Sequence, residues 1–172
     1  VDVSDPSAPR ELGRFAMPAS TSPFRAIEAA GRHVYVAHGS AGLLAISAVD
    51  PANMAIVDTA AAEFPGASFE SLALQGNRLI AWTPSDAARA KVFRLLDDGR
   101  MDLVGPVDTN PAGTIQLAAV QNYLVSLGSG AFSVSEILPA GDRGATAPAG
   151  VLLLEVGGDV VVPGTSVRLR AR

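Results

Sequence analysis

Apolar positions in this chain come in short runs of four or five, separated by turn residues, and not in helical stripes. Leu43-Leu44-Ala45-Ile46 and Leu79-Ile80-Ala81-Trp82 are continuous. A strand reads this way when both of its faces are buried. Hairpin punctuation surrounds the runs: Gly31-Arg32, Gly76-Asn77 and Asp98-Gly99. Asp-Gly between apolar runs is a strong hairpin signal, because a two-residue loop of that kind needs φ > 0 at both central residues. The pattern predicts strands over 25–30, 33–37, 43–49 and 54–60, then over 71–75, 78–83, 91–96 and 100–104. One stretch, 86–96, is helix-like, with Ser85 as its cap. The Asp98-Gly99 hairpin and the repeat register favour strand over its second half.

The strand groups repeat. Ile27 to Ala37 aligns with Leu72 to Trp82 at an offset of 45, with Gly31 and Gly76 in register. A weaker copy, Gln116 to Ser126, aligns at an offset of 44 and puts Val120 in the glycine position. A second landmark has the same period: Val3-Ser4-Asp5-Pro6 matches Ala48-Val49-Asp50-Pro51, again 45 apart. The Asp accepts backbone N–H groups in an Asx turn, and the Pro ends the ladder because it has no donor. Four strands in about 45 residues is the period of a β-propeller blade. The fold expected is therefore all-β, a partial β-propeller of about three four-stranded antiparallel blades followed by short strands. Propeller repeats fill 1–138: half a blade at 1–16, blades at 25–60 and 71–108, and a degenerate one at 114–138. Residues 139–150, rich in Ala, Gly and Pro, read as a linker. In 151–172, Val151 to Val156 and an alternating strand from Ser166 to Arg170 follow the linker. They fit either strands capping the last blade or the opening of an immunoglobulin-like domain. Both ends of the sequence read as interrupted repeats, with the missing blades expected upstream. Three blades with open ends are expected to be marginally stable alone, or to self-associate.

Composition narrows the partners. The 172 residues are 48% apolar and 17% charged, which suits a packed core and not a disordered chain. Net charge is −4, and Lys91 is the one lysine. No basic stripe is present to meet nucleic-acid phosphates or an anionic membrane surface. No apolar run approaches the roughly 20 residues that span a bilayer. With no cysteine, disulfides, thiolate zinc sites and cysteine nucleophiles are excluded.

Candidate chemistry is sparse. His33 lies in a strand and His38 in a loop before Gly39-Ser40, but no nucleophile–base–orienter set surrounds either, and Gly39-Ser40-Ala41-Gly42 is not a nucleophile elbow. Asp97, Asp98 and Asp102 lack the alternating ligands of a calcium loop, and Asp98-Gly99 is explained by a hairpin. Gly128-Ser129-Gly130 reads as a turn, not a nucleotide loop. Trp82 reads as packing, and Glu63 and Glu70 as solvated loop residues. No catalytic, cofactor or metal residue is assigned.

Gly31-Arg32-His33-Val34-Tyr35-Val36-Ala37, then Gly42-Leu43-Leu44-Ala45-Ile46, then Asp50-Pro51 resembles the LVIVD-type propeller repeat. Val1-Asp2-Val3-Ser4-Asp5-Pro6-Ser7-Ala8-Pro9 is similar to its closing turn. The likeness is good over 1–61, fair over 71–109 and poor beyond 110. It implies a bacterial, exported or cell-surface protein, with the periplasm as another compartment, and no shared catalytic residues. The function expected is a non-enzymatic binding or scaffolding segment with a protein or glycan partner. The alternative is a fragment of a propeller hydrolase or lactonase whose active site lies in other blades.

Overall fold

The structure, a computed structural model, describes residues 2, 4–17, 23–39, 41–84, 89–109, 116–128 and 132–137. Among them every regular element is a strand. Strands β1 (Ala26–Ala30), β2 (His33–Ala37), β3 (Leu43–Ser47) and β4 (Ala55–Thr59) form one sheet. A second contains β5 (Ser71–Gln75), β6 (Arg78–Trp82), β7 (Arg89–Leu95) and β8 (Met101–Asp108). A third contains β9 (Gln116–Val120), β10 (Tyr123–Leu127) and β11 (Phe132–Glu136). Each is an antiparallel meander in chain order. None closes on itself. The third sheet has three described strands where four were expected, and the linker and the strands read in 151–172 lie outside the described residues.

Side-chain parity explains the continuous apolar runs. Successive residues of a strand point to opposite faces. In β6, Leu79 and Ala81 join a core layer with Phe93 of the adjacent β7 and with Tyr35 and Leu43 of the first sheet. Ile80 and Trp82 join a different layer with Leu117 and Leu124 of the third sheet. In β7, Phe93 and Leu95 face the first layer, and Ala90 and Val92 the second. The inner strands of the middle sheet are thus buried on both faces, between its neighbours, while its outer strand β8 exposes Leu103 and Val104. First strand packs beside first strand, β1 against β5 and β5 against β9. Burying a side chain such as Phe93 or Leu79 contributes about 2 kcal/mol.

The turns keep a strict period of 45. Gly31, Gly76 and Gln121 open the three first hairpins with φ of 58°, 55° and 53°. Positive φ at the first central position alone is the type II′ pattern, which favours Gly. The third copy therefore aligns at an offset of 45, not 44, and Gln121, not Val120, replaces the glycine. Backbone carbonyls one residue on are used alike: Arg32 accepts from Ala48 N–H (2.8 Å), Asn77 from Leu95 (2.7 Å) and Asn122 from Ile137 (2.7 Å).

Both Asp-Pro landmarks are Asx turns. Asp5 Oδ1 accepts the Ser7 N–H at 3.0 Å, and Asp50 Oδ1 accepts the Ala52 N–H at 3.0 Å. Hydrogen bonds from Ser7 to Asp5, and from Asn53 and Ala52 to Asp50, hold both carboxyls below their ordinary value. The N-terminal stretch, expected to supply two strands, forms among its described residues only the bridge Asp2–Arg10. Pro6 and Pro9 remove two donors there, and the Asx turn takes up the residues between. The Asp98-Gly99 hairpin also differs from expectation. Gly99 has φ of 88° while Asp98 is not left-handed. Gly99 N–H reaches the Leu96 carbonyl at 2.9 Å, and Leu96 N–H reaches the Arg100 carbonyl at 2.9 Å. This is a three-residue loop, a turn closed by a left-handed glycine. Of the helix-like stretch, Arg89–Leu95 is strand, and 85–88 lie outside the described residues.

Candidate functional site: a cleft between the first two sheets

The repeat turns bring polar groups together at one end of the first two sheets. A cleft of about 470 Å3 opens there between the β1–β2 turn, the β5–β6 turn and the β7–β8 hairpin. Arg32 and Asn77 line it, each the second residue of its turn and 45 apart in sequence. Asp97 contributes a carboxylate from the facing hairpin, while Tyr35 and Leu95 supply apolar wall. A guanidinium, an amide and a carboxylate over an aromatic and an aliphatic wall suit a small polar ligand with apolar edges.

His33 also lines the cleft, at the start of β2. Its ring packs so closely on Gly99 that a Cβ there would collide with it. Gly99 is thus required twice, by its φ and by this contact. Tyr35 is 1% exposed. Burial raises its phenol above the ordinary value of 10.0, and the negative charges of Asp98 and Asp58 add to the effect. Tyr35 stays a neutral phenol across the physiological range. Asp98 itself is exposed. Its carboxyl is held below the ordinary value by the Arg100 backbone N–H and the Arg100 guanidinium, at 3.1 and 2.7 Å. Asp58 Oδ2 accepts the Met101 N–H at 2.7 Å, tying β4 of one sheet to β8 of the next.

The other singled-out residues lie elsewhere. His38 sits past the end of β2, at the opposite end from the cleft, and is 3% exposed. Its ring meets Phe24 edge-on at 4.4 Å. Its Nδ1 has no hydrogen-bond partner among the described residues. Ser40, and Ser129 and Gly130 of the glycine-rich turn, lie outside the described residues. Trp82 is buried in the second layer. Glu70 is not simply solvated: it faces Arg25 across the first two sheets at 3.9 Å. Asp102 pairs with Arg94 at 2.7 Å across β7 and β8. No cluster of three or more metal-ligating side chains occurs among the described residues. No helix among them is long and apolar enough to cross a membrane.

Sequence reading missed Arg32, Asn77 and Asp97 as a set. The signal was present in the 45-residue spacing of the two turns, which places Arg32 and Asn77 at equivalent points of neighbouring sheets. No protein-family model matches this chain, and no curated protein matches it in sequence.

Proposed function

We propose that this chain is a binding and scaffolding segment of a β-propeller repeat protein of the LVIVD type, exported or displayed on a bacterial surface. Its partner is a protein or a glycan, and it performs no chemistry on that partner. The observation that carries this reading is the cleft, whose rim is made by equivalent turn residues of successive repeats. Such an arrangement offers one recognition site at each sheet junction, with specificity set by turn residues that the core does not need. Arg32 and Asn77 supply donors, and Asp97 supplies acceptors, for hydroxyl or amide groups of a ligand. The large side chains Tyr35, Phe69, Phe93 and Trp82 are meanwhile committed to packing between sheets.

The test is a glycan array and a peptide array probed with the full chain, followed by the double variant Arg32→Ala/Asn77→Ala. Binding is expected to fall at least tenfold, about 1.4 kcal/mol, with the thermal midpoint unchanged. Binding indifferent to these substitutions would sink the reading. Turnover of ester or lactone substrates by the full chain would favour a hydrolase fragment in its place.

A further inference from the structure

We propose that the cleft between the first two sheets takes a small zwitterion of about dipeptide size, its carboxylate on Arg32, its ammonium on Asp97 and its middle against the Tyr35 hydroxyl, a proposal that rests on the binding reading above and gives its ligand a chemistry.

The charges of the cleft point to such a ligand. Arg32 and Asp97 line the same cleft of about 470 Å3. No ion pair joins them, and neither is paired with any other described residue. Other basic side chains of the chain are engaged. Arg10 pairs with Asp2, Arg14 with Glu11, Arg25 with Glu70, Arg94 with Asp102 and Arg100 with Asp98. Arg78, Arg89 and Lys91 also have partners. Among the described residues, Arg32 is the one basic side chain without a partner. Opposite charges kept apart in one cleft leave an anion site and a cation site. A purely anionic ligand would gain Arg32 but meet Asp97, and also the negative charges of Asp58 and Asp98 that act on Tyr35. A purely cationic one would meet Arg32. A ligand with both signs gains both contacts and faces no like charge at close range. The guanidinium can take a carboxylate through two parallel hydrogen bonds.

The floor supplies an independent observation. Tyr35 lines the cleft yet is 1% exposed. Its hydroxyl hydrogen-bonds to no described residue, and burial and neighbouring charge alone raise its pKa. A buried hydroxyl without a partner costs free energy. The central amide of a dipeptide, midway between its charged ends, offers a carbonyl acceptor to that hydroxyl. Asn77 adds amide donors at the rim, and Val49 and Leu95 supply apolar wall for a side chain. Small-molecule sites begin at roughly 300 Å3, so the volume suits a ligand of this size.

Three probes test the proposal: alanyl-leucine, its N-acetyl form, which lacks the ammonium, and its C-terminal amide, which lacks the carboxylate. Each is titrated into the full chain by NMR, with the Arg32, Asn77 and Asp97 amides as reporters. Alanyl-leucine should saturate at roughly millimolar concentration, because rim charges that keep water contribute modestly. Both blocked forms should bind about fivefold weaker or worse. Variants then separate the two ends. Arg32→Gln should weaken alanyl-leucine about fivefold and leave the amide form no weaker, and Asp97→Asn should do the same with the acetyl form spared. Tyr35→Phe, whose ring fills the same space, should weaken all three probes by a similar factor of about five. Absence of saturable alanyl-leucine binding, equal binding of the three probes, or Arg32→Gln acting equally on the free and amidated peptides would each overturn the proposal. The binding reading fails or stands separately. Glycans or long peptides that bind and respond to Arg32→Ala/Asn77→Ala, while alanyl-leucine does not bind, would keep that reading and overturn the zwitterion. Alanyl-leucine binding as described, with silent arrays, would keep the zwitterion and overturn the protein or glycan partner.

Discussion

The two layers between the sheets use one repeat but different fillings. The first is aromatic. Phe64, Phe69 and Phe93 meet edge to face with centroids 5.8, 6.1 and 6.4 Å apart, and Tyr35 lies in the same layer. Each such pair adds roughly 0.5–1.5 kcal/mol beyond its burial. The second layer holds Ile80, Val92, Leu117, Leu124 and a single large ring, Trp82. Hydroxyls take up the remaining space. Ser71 accepts from the Leu117 N–H, and Ser126 Oγ donates to the Thr109 carbonyl at 2.8 Å and lies 2.7 Å from Ser133 Oγ. A repeat can therefore keep its backbone register while exchanging ring packing for buried hydrogen bonds. The exchange coincides with the copy whose sequence match is weakest.

Truncation of the layers should expose this difference. Phe93→Ala removes a fully buried ring and two aromatic contacts, and should cost about 4 kcal/mol. Leu124→Ala, equally buried, should cost about 3 kcal/mol because it loses no ring pair. Urea denaturation of the full chain measures both. A larger loss at Leu124 would break the comparison and place the stability of the array in the second layer.

The hydroxyls come next. Ser126→Ala should cost about 1–2 kcal/mol, because it removes the short hydrogen bond to the buried Thr109 carbonyl and leaves that carbonyl only the longer one from Ser133 Oγ, at 3.5 Å. Thr109→Val is the contrasting case. The Thr109 side chain is 0% exposed, and its Oγ1 has no hydrogen-bond partner among the described residues. Removing that hydroxyl should be neutral or stabilise by up to about 1 kcal/mol. Equal losses from both substitutions would mean that side-chain volume, and not hydrogen bonding, decides fit in the second layer.

Much of the fold was legible because period and parity are properties of sequence. The runs at Leu43 to Ile46 and Leu79 to Trp82 announce strands buried on both faces, and Asp5-Pro6 and Asp50-Pro51 announce equivalent Asx turns. What was not legible depends on backbone detail or on partners distant in sequence. Gln121 looks like an ordinary polar residue, and only its φ reveals that it stands in a glycine position. Asp98-Gly99 fits two loop types that differ in which residue is left-handed. The cleft combines Arg32, Asn77 and Asp97 from separate hairpins, so no local window contains it. The collision that fixes Gly99 involves His33, 66 residues away.

The turn residues give a smaller effect on the same comparison. Gln121 adopts φ of 53°, a conformation that costs a non-glycine residue roughly 1–2 kcal/mol. Gln121→Gly relieves that strain but loosens the unfolded chain by about 0.5–1 kcal/mol. The net should be a stabilisation of about 0.5 kcal/mol. Gly76→Ala, at the equivalent point of the second sheet, should destabilise by about 1 kcal/mol. Chemical denaturation reads both. Loss of stability in Gln121→Gly would show that the glutamine side chain contributes to the turn.

The last difference is silent at neutral pH. Tyr35 is the buried phenol of the first layer, with its pKa raised by burial and then by Asp98 and Asp58. The folded state holds the neutral phenol above pH 10.0, where the unfolded chain has begun to ionise. The resulting stability is fully present below pH 10.0 and is lost as pH rises from there through the higher folded value. Tyr35→Phe should flatten that alkaline decline while leaving the neutral-pH stability nearly unchanged, because the phenyl ring fills the same space. Trp82 fluorescence separates the layers, since the single tryptophan lies in the second. If the first layer fails first, alkaline loss of near-ultraviolet tyrosine dichroism precedes the change in Trp82 emission in the wild type. In Tyr35→Phe, the Trp82 emission change should move to higher pH. Coincident transitions at every pH would mean that the two layers, for all their difference in filling, melt as one cooperative unit.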